Sequence, residues 1–269
     1  VIQKVLLFLL PIVLFSCQED QQDTQQTKET RLIFKPEFDG LDAFMNYRQK
    51  VEQRQDLKRL PSLSYTHKTG YSLQSVAFLD PQGEILKATI EKIDTNGHKL
   101  TYTFYFLKEV LSMAQVIDEQ LRLSNLQYKE TFYFYNANQS PIACYTRKVI
   151  NGKQAPYLSK TINLKAHQAI EATLLMVSDM QNQTAQFSLS FQGFDEAFNK
   201  KFVQFGNSDF SSNLAYAPSD ALILAIEKNP GAFQNQTFTI QFQDVQEASG
   251  LQYQVLTNIQ KTNATFLRL

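Results

Sequence analysis

From about residue 70 to residue 150 the chain alternates apolar and polar positions. In TYTFYFL, Tyr102, Phe104 and Phe106 share one phase of a two-residue period, and Thr101, Thr103 and Tyr105 share the other. Period two is the signature of a strand in an antiparallel sheet. The runs YSLQSVAFL, TYTFYFL and TFYFY each close at or near a phenylalanine, and Phe78, Phe106 and Phe134 are spaced 28 residues apart. Short connections (DPQGE, KE and NANQS) lead from these runs into ILKATI, VLSMAQVI and IACYTRKV. The pattern predicts three successive β-hairpins, an antiparallel meander of about six strands. DPQGE and NANQS carry turn formers, whereas Lys108-Glu109 is a poor two-residue turn, because such turns favour Asn and Gly.

Before the meander, residues 39–60 carry Leu41, Phe44, Met45, Val51, Leu57 and Leu60 at roughly helical spacing, and Pro61 ends the run. This helix is expected to cover the Tyr102/Phe104/Phe106 phase of the meander.

Beyond NGKQAP at 151–156 the pattern shifts. A strand is expected around 158–164, then a short helix within Ala166–Met180 with Ile170, Leu174 and Val177 inward. AQFSLSFQG, KKFVQFG and SSNLAYA read as strands, and SDALILAIEKNP as a short helix with Ser219 as its cap and Pro230-Gly231 as its stop. QTFTIQFQDV and LQYQVLTNI complete the chain as alternating strands. The fold class is therefore mainly β (α+β): an antiparallel hairpin meander with one packed helix over 36–152, then a small barrel-like β domain with a short helix over 153–269. The element order over residues 185–260 resembles an OB-like barrel. Its exposed alternates are Gln, Ser and Thr rather than Lys and Arg, which argues against binding a polyanionic strand.

The N-terminal run Val5–Phe15 is eleven residues long, short of the roughly 20 that a spanning helix needs. With Lys4 before it, the run suits the apolar part of a secretory signal over residues 1–16. Residues 18–30, QEDQQDTQQTKET, lack apolar side chains, so 17–35 reads as an acidic, Gln-rich tether. Leu14-Phe15-Ser16-Cys17 resembles the lipobox of bacterial lipoproteins. That resemblance implies cleavage before Cys17, a thioether-linked lipid on its sulfur and an acylated new N-terminus. Several acyl chains anchor stably where one anchors reversibly, so the expected partner is the membrane lipid itself. Glu19, Asp20 and Asp23 resemble the acidic export signal that places lipoproteins of Bacteroidota on the outer face of the outer membrane. The expected location is the outer membrane of a Gram-negative cell, with either leaflet open.

Charge and candidate chemistry narrow the function classes. Lys plus Arg and Asp plus Glu number 26 each, which gives no basic footprint for nucleic acid. After processing only Cys144 remains, at a strand position, where it reads as a small buried hydrophobe. His67, His98 and His167 lack metal-ligand spacing and read as surface or turn residues. GNSDFSSN at 206–213 reads as a turn rather than a calcium loop. No nucleophile elbow, phosphate loop or dinucleotide fingerprint occurs. Asp195 and Glu196, or Asp220, are generic candidates for a glycoside-hydrolysing carboxylate pair, with no argument beyond residue type, and an envelope hydrolase is the last alternative they leave. No cofactor is implied, and the expected function is non-catalytic: an accessory or protein-interaction subunit at the outer membrane, with another envelope protein as its expected partner. The alternative is a glycan or small-ligand binder with Tyr105, Tyr133 and Tyr135 as a stacking platform. Aromatics on both phases of one strand point to burial of both faces.

The lipid anchor is directly testable. Cys17→Ala is expected to move the protein from the membrane to the soluble fraction and to abolish metabolic labelling with an alkyne fatty acid. Equal fractionation of wild type and variant would exclude the anchor.

Overall fold

The computed structural model describes residues 41–122, 125–234 and 236–262. In chain order the elements are α1 (Leu41–Gln53), β1 (Lys58–Pro61), β2 (Tyr65–His67), β3 (Ser72–Leu79), β4 (Ile85–Ile93), β5 (Lys99–Leu107), β6 (Val110–Arg122), β7 (Asn125–Tyr135) and β8 (Pro141–Ile150). They continue as β9 (Lys153–Gln154), β10 (Leu158–Lys160), α2 (Leu164–Asn182), β11 (Leu189–Ala197), β12 (Lys200–Gly206), β13 (Phe210–Ala215), α3 (Ala221–Lys228), β14 (Thr237–Gln246) and β15 (Gln252–Lys261).

Strands β3 to β8 form the expected six-stranded meander, each pairing antiparallel with the next. Three of its connections are built alike. Asp80 accepts from the Gln82 and Glu84 amides, Asp94 from Asn96 and His98, and Asn136 from Asn138 and Ser140. A carboxylate or amide oxygen at the first loop position thus takes the amides that the departing strand leaves bare. The fourth loop position is left-handed in all three: Gly83, Gly97 and, against preference, Gln139 at φ 58°. The β5–β6 turn differs. Leu107 pairs with Val110, and Lys108 and Glu109 are both left-handed at φ 50° and 64°. Each such residue costs about 1–2 kcal/mol. The flanking strands bury Phe104, Tyr105, Leu111 and Met113 only in this register, and burial of a large apolar side chain is worth about 1.5–3 kcal/mol. The pattern therefore overrides the turn.

Both faces of the meander are covered. On one, α1 lays Phe44 and Val51 over Tyr105, Met113, Phe132 and Phe134, with the Phe44 and Phe134 rings 4.4 Å apart. The early helix thus covers the Tyr105 phase, not the Phe104 phase expected from sequence. It also ends at Gln53, because Leu60 belongs to β1, paired with Ala77 of β3. On the other face Phe104, Tyr133, Tyr135 and Cys144 pack with Ile170, Val177 and Met180 of α2. That helix is nineteen residues long rather than short, and Asn163 caps it by accepting from the Lys165 and Ala166 amides. Ile170 and Val177 are buried and Leu174 half-buried, the inward set expected.

A charged residue, Glu130, shares the phase of Phe132 and Phe134 and is buried with them. Gln115 Nε2 donates to it at 2.5 Å and the Tyr157 hydroxyl at 3.1 Å, and Arg147 Nε also donates to its carboxylate. Nearby, Glu52 of α1 accepts from Lys87 at 2.8 Å and from the Tyr105 hydroxyl at 2.6 Å. Burial alone would raise the Glu52 pKa, but those two bonds outweigh it and hold the carboxyl below its usual range. Burial and the Glu52 carboxylate push the Tyr105 phenol up.

The second half continues the same sheet. β13 pairs with β2 through Phe210–His67 and Ser211–Thr66, and with β12 along its length. β11, β12, β13, β15 and β14 then close a ring in that order: β13 and β15 run parallel over two residue pairs, and β11 meets β14 over two more. The ring is irregular, with α3 between its third and fourth strands. At the β12–β13 connection a side chain on Gly206 would stand 2.1 Å from the Phe210 carbonyl, so only glycine fits. The described residues fall in one compact unit, and its larger core takes residues from both sides of position 152/153, from Leu63 to Ile259.

Where β11 and β14 part, Gln183 takes the place of a strand. Its Nε2 donates to the Ile240 carbonyl at 2.6 Å, and its Oε1 accepts the Ile240 amide at 2.8 Å. Gln183→Ala would leave both backbone groups of a buried residue unmet, at about 1–3 kcal/mol each. A loss of about 2–4 kcal/mol in urea unfolding is expected, and an unchanged midpoint would show that water replaces the amide.

Candidate functional site

The junction of β2, β13 and β15 holds two adjoining cavities. The first half of β13 pairs with β2 and the second half with β15, so the two neighbours separate along its length. Gln254, 5% exposed, bridges the separation. Its Oε1 accepts the Ser64 amide at 2.7 Å, and its Nε2 donates to the Ser62 carbonyl at 3.2 Å and to Asp244 Oδ1 at 2.9 Å. Period two places Gln254 in phase with Leu256, which is also buried, so a polar group is carried inward and fully used.

On either side of this amide lies a cavity. One, of about 500 Å³, is lined by Arg59, Ser64, Gln74, Asp244, Gln246, Gln252, Tyr253 and Gln254 among others. The other, of about 310 Å³, is lined by Thr66, Asp195, Phe198, Phe202, Asn213 and Leu251, and shares Ser64, Gln252, Tyr253 and Gln254 with the first. Both volumes suit a small ligand, and the two cavities, with these four residues common to their walls, are taken together as a groove around Tyr253.

Tyr253 is held from three sides. Its hydroxyl donates to Glu247 Oε1 at 3.0 Å, Lys200 lies 5.0 Å over its ring, and the Phe202 ring meets it edge-on at 6.4 Å. Lys200 also pairs with Glu247 at 2.9 Å. Bonds from Lys200 and then Tyr253 hold the Glu247 carboxyl below its usual range, and the bonds of Lys200 to Glu247 and then to Tyr253 raise its amine. The loop from Glu247 to Leu251 shares the backbone bonds of those meander connections, with Gly250 left-handed at its fourth position, but its Leu251 amide donates to Ser249 Oγ rather than to the first residue's side chain.

The groove offers amides, hydroxyls, one guanidinium and two carboxylates around aromatic rings. Its charges do not sum to a cationic site. Such a lining can donate to and accept from a neutral, hydroxyl-rich molecule on several sides, but it places no nucleophile beside a base.

The structure disperses the residues singled out from sequence. Cys17, Glu19, Asp20 and Asp23 lie outside the described residues. Tyr105, Tyr133 and Tyr135 are 1%, 9% and 3% exposed, and Tyr105 faces α1 while Tyr133 and Tyr135 face α2. They form no exposed row, which corrects their expected role as a stacking platform. Burial pushes the Tyr133 phenol up to about 12. Cys144 is buried and free, as expected, and burial raises its thiol.

His67 stacks on Tyr71 with ring centroids 4.4 Å apart, and His98 in its turn lies 2.6 Å from Asp118. His167 is not a surface residue. It is buried in α2 with Nε2 3.3 Å from Glu171 and its ring 5.7 Å from Tyr135. Asp220, rather than Ser219, caps α3 by accepting from the Leu222 and Ile223 amides. Asp195 receives the Glu196 amide and lines the groove. In the 206–213 loop, Asn207 Oδ1 accepts from the Asp209 and Phe210 amides, so that oxygen serves the turn. Sequence reasoning missed Tyr253 and Gln254. Their strand was recognised, but only its parallel contact with β13 gives them a site.

No protein-family model, curated protein or solved structure matches the chain. Among the described residues no helix is long and apolar enough to cross a membrane.

Gln254→Leu would strand the Ser64 amide and the Ser62 carbonyl together. Hydrogen exchange at the Ser64 amide is expected to accelerate, with about 2–4 kcal/mol lost in global stability. Unaltered exchange would mean that Gln254 does not close the junction.

Proposed function

We propose that this chain is a lipid-anchored, non-catalytic binding protein of the bacterial envelope, and that the groove around Tyr253 takes a neutral glycan. The observation that carries the reading is the groove itself: two cavities joined at Tyr253 and Gln254, lined by amides and hydroxyls around aromatic rings. Neutral sugars present many hydroxyls and little charge, and side-chain amides both donate and accept. The balance of one arginine against Asp244 and Asp195 disfavours polyanions. The ring order and the helix between its third and fourth strands support reading the second half as OB-like. Barrels of that kind carry oligosaccharides on the surface of strands two and three, here β12 and β13. This support is an analogy of fold.

A second reading, an accessory subunit docking another envelope protein, draws on exposed Leu158, Leu164 and Leu175, which are 58%, 67% and 65% exposed. Leu164 and Leu175 lie eleven positions apart on α2 and so share its outer face.

Calorimetry of the purified chain against neutral hexose oligosaccharides separates the two. Binding in the micromolar to millimolar range, weakened about three- to tenfold by Arg59→Ala and by Gln252→Ala, is expected for loss of one hydrogen-bonding group. An absence of binding by wild type, with a protein partner captured in a Leu175-dependent manner, would replace the glycan reading with the second.

A further inference from the structure

The β11–β12 turn at the rim of the groove contains a residue that its backbone disfavours. Ala197 pairs with Lys200, and the two residues between them, Phe198 and Asn199, are left-handed at φ 51° and 57°. A two-residue turn of this kind selects Asn, Asp and Gly. Asn199 fits, but a bulky side chain at positive φ is an outlier. Packing gives no compensation. Phe198 is 72% exposed, the most exposed large apolar side chain among the described residues. Its neighbour Phe194 shows the alternative, leaning on Phe191 and Tyr216 with ring centroids 5.1 and 5.6 Å away.

A side chain that strains its turn and earns no burial is accounted for by what it meets outside the chain. Phe198 lines the smaller cavity together with Phe202, Asn213 and Asp195. We infer that Phe198 is the stacking platform of the groove, where a pyranose ring lays its C–H face on the phenyl ring while its hydroxyls reach Asn213, Asp195 and Gln252. The inference rests on the glycan reading above and narrows it. A ring whose hydroxyls are all equatorial keeps both faces apolar, so glucose-type units stack and rings with axial hydroxyls stack less well. A lipid surface gains no net charge attraction at this turn, because Asp195 and Glu196 offset Lys200 and Lys201 across the hairpin.

The test uses the whole soluble chain, from residue 18 onward, with a β-1,4-linked glucose hexamer and an α-linked mannose hexamer as probes. Wild type is expected to prefer the glucose hexamer. Phe198→Asn is expected to weaken it about tenfold and to melt a few degrees higher because the turn is relieved. Phe198→Tyr is expected to bind as wild type does. Full affinity in Phe198→Asn, with weakened binding in Gln252→Ala, would overturn the stacking role and leave the groove standing. Absence of binding of both probes by wild type would remove the groove reading and this inference together. Phe198-dependent sedimentation with anionic vesicles, without sugar binding, would assign the ring to the membrane instead.

Discussion

Covering a six-stranded sheet on both faces is the constraint from which the rest of the structure follows. A sheet with one wet face can keep polar residues on every second position. This one cannot, so Phe104 and Tyr105, adjacent in sequence, are both buried under different helices. Polar groups that enter such a layer must arrive already partnered. Glu130 does so with Gln115, Arg147 and Tyr157, and Glu52 reaches Tyr105 from the helix itself. The result is a sheet with one of its own helices packed on each face.

Strands part at the margins of this sheet. At one parting Gln183, the residue just past the end of α2, substitutes for a missing strand along Ile240, and the core stays closed. At the other, Gln254 ties β15 to the β1–β2 bend, and a groove opens on each side of it. The same chemical device, a single glutamine amide spanning two backbones, seals one gap and frames the other. The difference lies in what surrounds it: a helix end in the first case, polar strand ends and a hairpin loop in the second.

The meander was legible because alternation, spacing and turn formers agreed over residues 70–150. Helix α2 was legible in its inward residues but not in its length, since its outward Leu164 and Leu175 blur the polar face. The choice of face for α1 was not legible. Both phases of β5 are aromatic, and only contacts with Met113, Phe132 and Phe134 decide between them. Glu130 was legible in principle, being a charge in phase with Phe132 and Phe134. The groove was not, because Gln254 and Ser64 meet across 190 positions and no local pattern records a contact of that range.

The closure of the ring has a temporal meaning. Hairpins such as β14–β15 form from neighbouring segments, but the contacts of Gln254 with Ser62 and Ser64 span 192 and 190 residues. Contacts of such separation must await the chain between them and slow the search for the native state. For a polypeptide made N-terminus first, strands β1 and β2 are complete early, their Ser62 carbonyl and Ser64 amide without Gln254 until β15 has been made. The junction therefore closes only after β15 is available, which makes the opening beside Gln254 a late feature of folding.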